Sequence, residues 1–577
     1  MKTRNILTKS SARTWPFWQG GKVFSRRAAT TVWVGAATAI LALASSSRAA
    51  DFIVSKLNDA GPGSLRAAIE EANATPDADV IRFRPGLLGI IALTSGQLNI
   101  TEDLSIFGPG EQVLTVSGNH ASRVFRVAGA GTDVVMTDLT IADGLATDVI
   151  DTGSFGTSTG GGGILNLGGS VTLSQVTVAN NVSDTQATAP GEAGKPAQSY
   201  GGGIFNRTGA RFAATHCTFR GNIATAARVG SNFQFHGGGA ILNDSNSIAQ
   251  IQFSVFTGNR TTDAGGAIYN SAGSQLFLSQ TRFEDNGALF AGGAIDSLPT
   301  GLSGGLPATV AVENSQFFGN WVIGDLVPGG GASGGAIRSI GGSLTVEHSH
   351  FANNEARGGN NLAVGNGGLG RGGAIYTARS GPAAASLAFT TTIANSQFIN
   401  NLAAGGNGSE GRNGGEARGG ALTALGLGLL EVHNSIFEGN EAAGGMGTTG
   451  GNALGGGVHN DQVTATVAPG TVITTVPTTA VTDCAIASNL AVAGPGVTSG
   501  NARGGGIYNG NPANGLSPIF VLTRSNVAAN EADGGAGEGK GGGIYNGGLF
   551  SVDQFSPVEG NKASTSDDDV FGILTPL

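Results

Sequence analysis

Three observations predict an all-β solenoid, a parallel β-helix, for this chain of 577 residues. The first is self-similarity. A Gly-Gly-Ala or Gly-Gly-Gly opening followed by Ile, Leu or Val, an apolar run and a closing Asn, preceded three positions earlier by Phe, Val or Ile, recur in eleven copies, which close at Asn181, Asn222, Asn259, Asn286, Asn320, Asn354, Asn401, Asn440, Asn489, Asn530 and Asn561. Repeats of this size bury their apolar faces only by stacking on their neighbours. The second is period. In uninterrupted copies the closing Asn lies 18 or 19 positions after the opening (163 to 181, 240 to 259, 267 to 286), too short for a helix pair, and apolar residues alternate, as in Leu344-Thr-Val346 and Leu430-Glu-Val432. A period of two means strand. The third is composition: 100 Gly, 12% charged residues and 3 Met leave little to build helices from.

Stacking explains the letters of one repeat. Three positions before the closing Asn stand Phe219, Phe256, Phe283, Phe317, Phe351, Phe398 and Phe437 in seven successive copies. Coils about 4.8 Å apart place these rings in one internal column. The closing residues Asn222, Asn259, Asn286, Asn320, Asn354, Asn401 and Asn440 are expected to form an amide ladder between coils, and their backbone to take the left-handed bend. A second ladder follows the opening: Asn166, Asn206, Asn243 and Asn270, then Asn460, Asn509 and Asn546. The paired Gly mark a turn where a side chain collides or φ is positive.

Four segments follow in order. Residues 1–49 carry eight Lys or Arg and no acid, with an apolar run from Ala28 to Ala44 and small residues at Ser47-Arg48-Ala49. This predicts a secretory signal peptide, with an uncleaved anchor as the alternative; Ser25-Arg26-Arg27 supplies only a fragment of a twin-arginine motif. Its removal leaves 23 basic residues against 40 acids, which disfavours nucleic acid as a partner. Residues 50–144 are expected to hold a cap over the open first coil, with Ser64 capping a short helix whose Leu65, Ala68, Ile69 and Ala72 share one face, followed by strand-like runs for the first two or three coils. Residues 145–561 hold the repeats, and 562–577 an acidic tail or cap.

The segment Gly63-Ser-Leu-Arg-Ala-Ala-Ile-Glu-Glu-Ala-Asn73, followed by Pro76-Asp-Ala-Asp-Val-Ile-Arg-Phe83, resembles the start of secreted bacterial right-handed β-helix proteins of the choice-of-anchor type. The Gly-Gly-Ala-Ile and Phe-x-x-Asn pairs resemble the repeats of chlamydial polymorphic outer membrane proteins. The resemblance implies a right-handed helix and a surface-exposed adhesin at the bacterial outer membrane side. It departs from the polymorphic proteins after Asn561, where sixteen residues hold no series of membrane β-barrel strands.

Candidate sites are few. Connectors 260–264 and 287–291 are short and others long and Gly-rich, so a ridge with a dip over the third to fifth repeats is expected, near Asp263, Arg260, Arg282, Glu284 and Asp285. The bland alternative is ordinary solvated charge on short turns. The residue after the opening Ile is expected to point outward; this column runs Tyr269, Asp296, Arg338, Tyr376, Thr423, His459, Tyr508 and Tyr545. Asp296 and Arg338, one coil apart, suit acid–base chemistry on a polysaccharide or a surface salt bridge, and Tyr376 suits a sugar-stacking contact or simple β propensity. Asp567, Asp568 and Asp569 offer a calcium site or a solvated acidic end. No cofactor is expected otherwise. Cys217 and Cys484, about seven coils apart, cannot bridge. The sequence thus predicts a monomeric, secreted or cell-surface β-helix scaffold binding an extracellular polysaccharide or protein, non-catalytic. Its alternative is a polysaccharide lyase or glycoside hydrolase.

Overall fold

The computed structural model describes residues 49–577 apart from 154–155, 185–197, 226–236, 272, 300–305, 325–327, 362–364, 380–388, 427, 469–470, 476 and 513–515. The expected signal segment, all but its last residue, lies outside this range.

One coil shows the plan. After Gly265-Gly266 the chain forms the strands Ile268–Ser271, Gln275–Ser279, Arg282–Glu284 and Gly287–Ala288. Each pairs in parallel with its equivalents in the coils before and after, for example Ile241↔Ile268↔Ile295 and Phe256↔Phe283↔Phe317. Among the described residues the first strands make a 14-stranded sheet (the Ile sheet), the second and third a 28-stranded sheet (the Phe sheet) and the fourth a 12-stranded sheet (the corner sheet). This is a parallel β-helix, and no helix among the described residues is long and apolar enough to cross a membrane.

Inside, Ile268, Leu276, Leu278 and Phe283 of that coil are at most 2% exposed. The Phe rings stack with centroids 4.4 to 4.9 Å apart from Phe219 to Phe437. Alternation works because every second side chain meets the same neighbour one coil away. The closing Asn residues form a continuous ladder. The Asn354 side-chain oxygen accepts from both the Asn320 amide N–H at 3.1 Å and the Asn320 Nδ2 at 3.0 Å, and Asn320 Nδ2 also donates to the Phe283 carbonyl at 3.1 Å. The left-handed bend, however, sits one residue earlier than expected. Positive φ falls on Asn180, Asp285, Asn353 and Asn400, with Gly221, Gly258, Gly319 and Gly439 at the same place in other coils. The closing Asn must aim its own N–H along the stack, so the corner is turned by the residue before it. Cys217 and Cys484 stand in a column of Ser and Thr rungs: the Cys217 N–H donates to Ser254 Oγ at 3.1 Å and the Ser435 N–H to Cys484 Sγ at 3.4 Å. Burial pushes both thiols up to about 11.

The first coil is covered and the last is extended by the tail. Helix α1 (Leu65–Ala72), capped by Ser64, lays Leu65, Ala68, Ile69 and Ala72 on the first coil. Arg66 ties it down through Asp59 and the carbonyls of Gly96 and Gln97. At the other end the acidic tail builds a last partial coil, with Val570–Phe571 extending the Ile sheet and Thr575–Pro576 the Phe sheet.

A second layer is absent from the sequence expectation. The dipeptides Ala332–Ser333, Gly370–Arg371, Ala417–Arg418, Ala453–Leu454, Ala502–Arg503 and Gly539–Lys540 pair in parallel as a six-stranded outer sheet. Each runs directly into the opening glycines, which reverse the chain beneath it into the Ile strand. At Gly265 φ is +68°, and a Cβ on Gly266 would lie 2.0 Å from the Gly293 carbonyl oxygen, so neither position accepts a side chain. Among the described residues, the Gly-rich connectors 402–418 and 441–454 fold into this layer rather than standing out as loops. Their glycines hydrogen-bond between coils, Gly406 N–H to Gly368 O and Gly445 N–H to Gly415 O, and within each connector, Gly415 N–H to Gly406 O and Gly451 N–H to Gly445 O, at 2.8 to 2.9 Å. A Cβ on Gly451 would meet the Gly415 carbonyl oxygen at 1.8 Å, so backbone packs on backbone here.

Candidate functional site

The outer sheet changes what the column after the opening Ile can do. These side chains point away from the central core, as alternation requires, but they point into the second layer. Tyr269, Tyr376, Tyr508 and Tyr545 are 4 to 7% exposed and Asp296 and His459 are fully buried. The expected outward face is therefore a second interior. His459 stacks on Tyr508 with centroids 5.1 Å apart. Neither of its ring nitrogens has a hydrogen-bond partner, and burial, with Arg418 and Arg371 nearby, holds its pKa well below the ordinary value.

Asp296 and Arg338 are register partners on adjacent strands of the Ile sheet. Arg338 donates through Nε to Asp296 Oδ1 at 2.6 Å and through Nη2 to Oδ2 at 2.8 Å, a two-point contact. The Phe290 ring lies 5.0 Å from the guanidinium carbon. Burial works against the Arg338 charge, but Asp296 more than compensates and holds its pKa above the usual value. The pair is buried and mutually saturated, not the surface salt bridge or open acid–base couple the sequence offered. An outer layer covers it, and each carboxylate oxygen already has a guanidinium donor.

The expected dip does not gather one group of residues. Asp263 is buried and acts electrostatically on Tyr269 and Arg338. Arg282 and Glu284 lie instead on the outer face of the Phe sheet, where Arg282 Nη2 donates to Glu284 Oε1 at 3.0 Å and its guanidinium covers the Phe318 ring at 4.7 Å. Asp285 turns the corner beside them with φ 53°, and Arg260 lies over the Trp321 ring at 5.0 Å. At the C-terminal end the three candidate calcium ligands have separate duties. Asp569 Oδ1 accepts from the Asn561 N–H and Nδ2, both at 3.0 Å, as the last rung of the Asn ladder. Asp568 accepts from the Ala563 N–H at 2.9 Å, and Asp567, at φ 62°, accepts from Ser566 Oγ. Among the described residues no three His, Cys, Asp or Glu side chains converge as a metal site.

Among the described residues two surfaces have binding geometry. One is a cleft of about 460 Å³ between the outer layer and the Ile sheet, lined among others by Phe290, Ser333, Arg338, Leu369, Arg371 and Tyr376. Arg371 belongs to a series the sequence reading passed over: Arg371, Arg418, Arg503 and Lys540 each directly precede the opening Gly pair. That fixed offset is the signal that could have revealed the outer layer. The other surface is the outer face of the Phe sheet. His216 stacks on Phe253 with centroids 5.0 Å apart, Phe253 is 45% and Phe277 37% exposed, and Phe318 lies between His350, 5.3 Å away, and Arg282.

No family model matches the chain, and no curated protein matches it. Solved structures similar to it include a mannuronic acid specific polysaccharide family 6 lyase from human gut microbiota, at 10% identity over 69% of this chain and 81% of that one, TM-score 0.30. Bacteriophage CBA120 tailspike protein 3 is similar at 9% identity over 81% of this chain and 56% of its own, TM-score 0.33. The A-module of the Azotobacter vinelandii mannuronan C-5 epimerase AlgE6 is similar at 10% identity over 88% and 98%, TM-score 0.31.

Proposed function

We propose that this chain is a secreted or cell-surface β-helix scaffold of the adhesin kind, exported by its first 49 residues, that binds an extracellular polysaccharide without turning it over. The observation that carries the reading is the aromatic patch on the outer face of the Phe sheet. His216 and Phe253 stack at equivalent positions of adjacent coils, and Phe277, Phe318 and His350 stand on the next three coils at other positions across the sheet, a span of about 20 Å along the stack at the coil spacing. Exposed and half-buried rings gathered on one sheet face mark a contact surface, long enough to meet several units of a polymer. The lyase or hydrolase alternative drew on Asp296 and Arg338, whose charges are spent on each other under the outer layer.

The test is a panel of acidic and neutral polysaccharides, followed both for binding and for release of reducing ends or unsaturated products, with and without calcium. Binding without turnover is expected, weakened at least tenfold in the double variant Phe253→Ala, Phe277→Ala while the far-UV spectrum stays unchanged. Turnover abolished by Asp296→Ala or Arg338→Ala in a folded protein would overturn the reading.

A further inference from the structure

The cleft beside the Asp296–Arg338 pair holds a charge that the fold leaves unanswered. Arg338 is neutralised by Asp296, and one coil beyond Arg371, Arg418 is neutralised by Glu416 at 2.5 Å. Arg371 lies between these two pairs in the outer sheet and has no ion-pair partner among the described residues. Its Nε is buried and finds no hydrogen-bond acceptor. Among the described residues no Asp or Glu lines the cleft. A guanidinium with a buried, unsatisfied N–H is costly to keep, and protein interiors pair nearly all such donors. Burial, with the like charges of Arg418 and Arg338, outweighs the opposing influence of Tyr376 and Glu416 and pulls the Arg371 pKa down.

The rest of the cleft suits a small molecule. Its volume of about 460 Å³ falls within the range of small-molecule sites. Tyr376 and Phe290 supply aromatic surface, and the Ser333 hydroxyl and the rim glycines supply polar edges without bulk. The planar fork of a guanidinium matches two oxygens of a carboxylate or sulfate.

We propose that this cleft binds the oxyanion of an acidic saccharide, a carboxylate or a sulfate, with Arg371 as its ligand and Tyr376 against the sugar ring. The scaffold reading supplies the saccharide; the oxyanion site rests on Arg371 and the cleft alone. The two fail separately, because polymer binding is read on the Phe sheet and oxyanion binding here.

The experiment titrates the full-length chain with sodium glucuronate, sodium sulfate and glucose by calorimetry, with thermal melts in parallel. Wild type is expected to bind glucuronate or sulfate and to melt higher in its presence, with glucose inert. Glucuronate alone identifies a uronic acid, and sulfate alone a sulfated sugar. Arg371→Met is expected to weaken the binding at least tenfold and to abolish the ligand-induced rise in Tm. Its melting without ligand should be no lower than wild type, because it removes an unpaired buried charge. Arg371→Lys, which keeps the charge but loses the fork, should fall between them. Wild type that binds neither anion, binds glucose equally well, or binds as tightly after Arg371→Met would overturn the proposal.

Discussion

At the scale of single residues, Asp296 shows how far a covered position differs from an exposed one. Asp296→Ala would strand the Arg338 guanidinium in a buried site and is expected to cost about 3–5 kcal/mol, the range for breaking one side of a buried pair. An exposed pair such as Arg282–Glu284 is worth about 1 kcal/mol or less. The double variant Asp296→Ala, Arg338→Met should recover much of the loss, since an apolar side chain then fills the same space beside Phe290. Denaturant unfolding of the four proteins in this cycle measures it. A single variant as stable as wild type would show that water reaches Arg338. Alternation along the strand told the side of the sheet on which Asp296 lies. It carried no information on what lies across from that side.

At the scale of elements, strands that face the core were legible and those that face the second layer were not. Leu344-Thr-Val346 announces itself by alternation, and the Phe and Asn positions announce coil stacking, because each must match its equivalent one coil away. Gly370–Arg371 and Ala417–Arg418 are two residues long, made partly of Gly and Ala, and paired only within the six-stranded outer sheet; no period shows in so short a run. The left-handed corner was misplaced by one residue for a related reason. Asn tolerates positive φ, so the closing Asn drew the assignment, although the Gly221, Gly258, Gly319 and Gly439 just before it carried the stronger signal. The N-terminal cap gives a prediction of its own. Asp59 is 8% exposed and accepts from the Thr94 and Ser95 N–H groups at 2.9 and 2.7 Å and from Arg66 at 2.7 Å. Burial raises its pKa, but these donors outweigh it and hold the carboxyl at about 2 against an ordinary 3.8. A depressed folded pKa means stability that is present above pH 4 and lost as pH falls towards 2, about 2 kcal/mol for this group. Hydrogen exchange of the α1 amides, corrected for intrinsic rates, should show that protection declining across this window. Asp59→Asn should show the loss already at pH 7, and equal protection in the two proteins would mean that Asp59 does not hold the cap.

At the scale of the molecule, a solenoid is bound by neighbour contacts alone, so its coils should be removable as units. The coils opening at Ala240, Ala267 and Ala294 are spaced by 27 residues each, and the register partners Ile241↔Ile268↔Ile295 keep that spacing. Deleting 267–293 joins Gly266 to Ala294 and reproduces an ordinary opening. Phe256 then meets Phe317, Asn259 meets Asn320, and the Asp296–Arg338 pair is untouched. This variant is expected to stay soluble, with an unchanged β-rich far-UV spectrum per residue and a similar melting temperature. Deleting only 267–280 removes the Ile strand and half of the Phe-sheet strands, and leaves the Asn259 and Asn286 rungs without a closed coil between them; it should lose the cooperative melt. Equal damage from both deletions would mean that stability depends on particular coils rather than on register.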